Sequence, residues 1–158
     1  MFLVKKFKFQ LETLLKVTRM KKEDIEMEFA ELSRKLEDQR RHKEMLLKEL
    51  QQWQRDYEAI SREGKRVTVL RLMQFNQFFA WKREQIELQN TMILHTKGQR
   101  QKKRKELMEA MSYLKSIEQL RGKRFQEYRE EAFREEQKVL DEIGLQLTMR
   151  ARKAGETL

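Results

Sequence analysis

Asp38 and His42 come nearest, among the residues of this chain, to a chemical site. They share a helix face at i and i+4, as two metal ligands would. Two ligands do not hold a structural or catalytic metal, and the only other histidine, His95, lies far away in the sequence. The chain has no cysteine, so disulfides and thiolate sites are excluded. There is no Glu-x-x-His pair of the di-iron type and no glycine-rich loop to cradle a phosphate. The expectation is a protein that is not an enzyme and carries no metal or cofactor.

Binding chemistry is better represented. In "MQFNQFFAWKRE", Met73 to Glu84, four of the seven residues from Phe75 to Trp81 are aromatic. In "KGQRQKKRK", Lys97 to Lys105, six residues are basic and none is acidic. That run supplies most of the excess in a net charge of +10 and favours acidic partners of any class. No aromatic lies between His95 and Glu106, so the run has no stacking platform for single-stranded nucleic acid. A solvated helix face is its simpler reading, and no nucleic-acid partner is expected. The N-terminal "MFLVKKFKFQLETLL" mixes aromatic, aliphatic and lysine side chains. Phe7, Phe9 and Leu11 alternate there instead of following a helical period, which points them at something other than the second helix.

The elements that carry these residues follow from composition and period. Charged residues make up 39% of the 158, proline is absent and only five glycines occur. Such a chain has nothing to break long helices sharply and reads as coiled coil, not as a globular core. Stepping alternately four and three residues from Leu11 gives Leu15, Thr18, Lys22, Ile25, Phe29, Leu32, Leu36, Gln39, Lys43, Leu46, Leu50, Trp53, Tyr57 and Ile60, eleven apolar or aromatic positions of fifteen. A second seam runs from Leu72 through Phe75, Phe79, Lys82, Ile86, Gln89, Ile93, Thr96, Arg100, Lys103, Leu107, Ala110 and Leu114 to Ile117. A 3.5-residue repeat of this kind keeps one stripe facing a partner helix. Beyond Ile117 the phase slips toward an eleven-residue spacing, and the supercoil should relax.

Between the seams, Gly64 sits in the polar stretch "SREGKRVT" and marks a hinge, because a helix ends most readily at a glycine free to adopt φ > 0. The reading is all-α: one antiparallel two-helix coiled-coil hairpin over 1–158, with a helix over about 8–61, a turn over about 62–67 and a longer helix over about 68–152. Folding about Gly64 pairs Leu11 with Ile117 and faces Gln39 with Gln89. Both termini then share one end of the hairpin. Phe75 and Phe79 point into the seam, while Phe78 and Trp81 lie on a flank that the hairpin cannot cover. No stretch reaches the ~18 apolar residues of a membrane span, and the N-terminus lacks a signal-peptide core. A cytoplasmic protein with no integral membrane segment is expected.

Two stretches, "FKFQLETLLKVTRMKKEDIEMEFAEL" from Phe7 and "IEQLRGKRFQEYREEAFREEQKVLDEIGL" from Ile117, resemble the flagellar export protein family FliJ. The resemblance implies a small coiled-coil stalk and adaptor of the type III export apparatus, peripheral at the cytoplasmic face of the flagellar basal body. It implies two main partners, the hexameric export ATPase and the cytoplasmic domain of the membrane export gate, with export chaperones as a third. The terminal end would enter the ATPase ring through Phe7, Phe9, Leu11, Leu14, Leu140, Ile143 and Leu147. The segment after the turn would touch the gate through Phe78, which matches the family's aromatic, together with Trp81 and Gln85. Lys82, Gln85 and Gln89 hold the positions where the family has leucine, alanine and histidine, so the match there is to Phe78 alone. Three alternatives remain open: the equivalent stalk of a virulence-type secretion system, a basic nucleic-acid-binding coiled coil, and a structural self-dimer.

Overall fold

A computed structural model describes residues 6–62 and 66–156. Two helices account for nearly all of them: α1 over Glu12–Arg62 and α2 over Val69–Glu156. They pack against each other in antiparallel sense, the second is the longer, and the described residues contain no strand. Gly64, the expected hinge, lies outside the described residues. Thr68 ends the connection as the N-cap of α2. Its hydroxyl accepts from the Arg71 amide at 3.3 Å, and its carbonyl accepts from Arg71 and Leu72 at 3.0 and 3.2 Å. The β-branched Val67–Thr68–Val69 cluster therefore contains a helix start signal as well as a region of low helix propensity.

The chain forms two compact units, Lys22–Glu109 and Met1–Lys21 with Ala110–Leu158. In the first, the two seams meet as their period requires. Leu36, Leu46, Phe75 and Ile93 are buried, and so are the polar seam residues Gln39, Lys82, Gln89 and Thr96. Every second-seam position within this unit, from Leu72 to Lys103 and Leu107, is at least half-buried. Gln39 does meet Gln89, but Gln89 Nε2 donates to the Gln39 backbone carbonyl at 2.9 Å. The Gln39 side-chain oxygen is left buried with no hydrogen-bond partner.

Several polar contacts in this unit fall three to five residues later on α2 than the Gly64 pairing, while the Trp53–Phe75 contact falls on it. Glu49 pairs with Lys82, Glu28 pairs with Lys103, and Arg100 Nε donates to Ser33 Oγ at 2.9 Å.

In the terminal unit, Leu15 is fully buried against Leu114 and Ile117, with Phe9 packed on the same cluster. Leu11 was expected to occupy this place. Helix α1 begins at Glu12, not at residue 8, so Leu11 stands on the preceding turn, off the helical period, and is 38% exposed. Two ion pairs flank the cluster, Arg121–Glu12 at 3.0 Å and Arg19–Glu118 at 3.4 Å. Beyond Ile117 little is buried, and the expected stripe is kept only in part, since Phe125 is 43% exposed. Tyr128, Ala132 and Val139 are half-buried, while Phe133, Leu140, Ile143 and Leu147 are exposed.

Candidate functional surfaces

The aromatic segment after the connection closes the first unit. Tyr57 of α1 sets its ring edge-on to Phe75 at 5.5 Å and to Phe79 at 6.1 Å. Trp53 meets Phe75 edge-on at 5.6 Å and stacks on Phe78 at 4.0 Å, with the ring planes 27° apart. Phe75 and Phe79 thus occupy the seam, as their helical positions dictate. Phe78 does not stand on an uncovered flank. The indole of Trp53 contacts Phe75 and also covers one face of Phe78. Phe78 is half-buried as a result, and Trp53 is 40% exposed.

Trp81 is the side chain that remains open, at 52% exposure, with its ring 6.2 Å from Phe78. Gln85, half-buried, continues the same face one turn on. Lys82 ties the group together. Its ammonium is buried, pairs with Glu49, and lies 5.7 Å from the Phe78 ring centre and 5.2 Å from that of Trp81. A surface results that both helices build: Trp53 from α1, Phe78 and Trp81 from α2, and a neutralised lysine behind them. Sequence reasoning missed Trp53 because its seam position gave no sign of which way so large a ring would lean. The signal available was volume, since tryptophan faced phenylalanine across a two-helix interface.

The terminal unit exposes apolar side chains at separate places along its length. Of the residues expected to enter a ring, Leu11, Leu14, Leu140, Ile143 and Leu147 are exposed. Phe7 and Phe9 are half-buried by the chain itself, which overturns the expectation that they face away from α2. Phe7 packs on Phe125 at 5.2 Å and on Tyr128 at 5.5 Å. Residues 6–9 are non-helical, so alternate side chains project to one side, and that side is α2.

The basic run 97–105 is partly used up inside its own unit. Arg100 lies over the Phe29 ring at 4.9 Å, and Lys103 bonds Glu28 and Glu106. The Glu28 carboxylate, then that of Glu106, raises the Lys103 pKa above its ordinary 10.5. Contacts from Glu28 and Ser33 bring the acidic stretch Glu23–Glu31 of α1 alongside the run, so its charge has a partner within the chain. His42 is exposed in an open groove with Glu31, Arg34, Lys35 and Asp38. Among the described residues no three histidine, aspartate or glutamate side chains come together as metal ligands. Nor is any helix long and apolar enough to cross a membrane.

The family profile described as "Flagellar FliJ protein" matches residues 7–153. No curated protein and no solved structure matches the chain.

Proposed function

The chain belongs to the FliJ family of flagellar export-apparatus components, and from that premise we propose that it is a non-enzymatic adaptor joining the export ATPase to the export gate. The observation that carries this reading is the exposed Trp81 beside Phe78, on a face built by both helices next to a closed aromatic clasp. Large aromatics in such a position are what a protein partner uses as anchors. Trp53 fixes the Phe78 ring by stacking, so little rotamer entropy remains to be lost on docking. In this reading Phe78, Trp81 and Gln85 meet the cytoplasmic domain of the gate, and Trp53 contributes from α1.

The ATPase contact is assigned to the terminal unit. Leu11, Leu14, Leu140, Ile143 and Leu147 are exposed apolar groups there and can be buried in a ring of subunits. Phe7 and Phe9 act indirectly, by holding the chain start against α2. Promotion of ring assembly follows, because a ligand that contacts several subunits stabilises the assembled state over the free ones. Export chaperones are a third class of partner.

Two measurements test this. Phe78→Ala and Trp81→Ala should each abolish or strongly weaken binding to the purified cytoplasmic domain of the gate while the helical circular dichroism is kept. Unchanged binding in both would place the gate contact elsewhere. Stoichiometric full-length protein should raise the turnover and oligomerisation of the purified export ATPase. No change in either would end the ATPase half of the proposal.

A further inference from the structure

Helix α2 carries a second heptad-spaced stripe beside the one that closes the hairpin. Phe78, Trp81, Gln85, Leu88, Met92 and His95 follow one another at three and four residues, as the a and d positions of a coiled coil do. Trp81, Leu88 and Met92 are 52%, 61% and 51% exposed. A stripe with this period fits an α-helix laid along it, since an extended segment would read every second residue.

The charge pattern selects the occupant. The chain is 39% charged with a net +10, yet the twenty-four residues from Met73 to Thr96 hold only Lys82, Arg83, Glu84 and Glu87, two of each sign. Lys82 is further neutralised by Glu49. A second copy of so basic a chain is repelled over most of its surface, but not over this face, where Glu31, Arg34, Lys35 and Asp38, the α1 residues beside Met92, also balance in charge. We propose that a second copy of the chain docks here, stripe against stripe and antiparallel, forming a two-fold dimer.

The direction follows from the same charges. A parallel pair would set the basic run Lys97–Lys105 against itself. An antiparallel pair centred between Gln85 and Leu88 sets that run against residues 68–76 of the second copy, where Arg71 is the only charged side chain. It also brings a and d positions together across the axis. Trp81 meets Met92 of the second copy, a thioether against an indole, and Gln85 meets Leu88. The dimer stands apart from the adaptor reading and is decided without any export component. If both hold, self-association covers Phe78 and Trp81 and competes with the gate.

Sedimentation equilibrium on the full chain tests it. The wild-type mass should rise from 19.5 kDa toward twice that value with concentration. Leu88→Asp and Met92→Asp, exposed changes that keep the hairpin, should stay at the monomer mass with unaltered helicity. Because the native chain has no cysteine, a single Gln85→Cys should cross-link to its copy through a short bismaleimide. Gln99→Cys should not, because antiparallel docking separates the two positions by roughly 37 Å along the axis. Three results would each overturn the proposal: a wild-type chain monomeric at millimolar concentration, a dimer indifferent to both aspartates, or cross-linking at Gln99.

Discussion

Replacing Gln39 by leucine should stabilise the Lys22–Glu109 unit. A sequence argument predicts the opposite, because two facing seam glutamines suggest a side-chain pair that leucine would break. The observed bond runs from Gln89 Nε2 to the Gln39 backbone carbonyl, and it survives any change of the Gln39 side chain. What Gln39→Leu removes is a buried amide oxygen with no partner. Relieving an unsatisfied buried acceptor is worth about 1–3 kcal/mol. For a chain of this size that corresponds to an upward shift in melting temperature of roughly 2–12 °C. The assay is thermal and urea unfolding followed by circular dichroism, at a concentration where the mass is that of the monomer. Gln89→Leu should cost about 0.5–1.5 kcal/mol, the net value of one hydrogen bond. A Gln39→Leu chain that melts lower would show that the amides pair in solution and that the reasoning is wrong.

Three further outcomes are expected. Trp53→Ala removes a stacked contact to Phe78 and an edge contact to Phe75, and should lower stability by about 2 kcal/mol, below the 3–5 kcal/mol of a fully buried aromatic because the indole is partly exposed. Gly98→Ala, Gly122→Ala and Gly144→Ala should each raise helix stability by about 1 kcal/mol, since an added Cβ meets nothing within 4 Å at any of the three; a lower melting temperature in any of them would contradict this. The Lys103 pKa is raised by Glu28 and Glu106, so its stabilising effect is complete below pH 10.5 and is lost as pH rises through the higher folded value. Alkaline titration of unfolding should therefore be shallower above pH 10.5 in Lys103→Met than in the wild type.

Much of the fold was legible because a coiled coil writes its packing into a linear period. The fourteen positions stepped from Leu72 to Ile117 are all at least half-buried, including Lys82, Gln89, Arg100 and Lys103, which composition alone would have placed outside. Their long side chains can bury a stem and still reach a partner, so the period overrode polarity. Capping was less visible. Thr68 is β-branched and so of low helix propensity, yet its hydroxyl acts as the N-cap of α2.

What the period by itself determined is which residue faces the partner helix and which faces away, and so Trp81 was placed in the open correctly. Helix geometry fixes direction at 100° per residue, and that needs no knowledge of a neighbour. What only the tertiary structure decided is how side chains of unequal size share the space between helices. Trp53 leans out over Phe78, Phe7 folds back on Phe125 and Tyr128, Phe9 takes the place expected of Leu11, and Gln89 chooses a backbone carbonyl over a side-chain amide. Each outcome depends on volumes and donors brought together from positions far apart in the chain, and a repeat read along one strand of sequence carries no information about them.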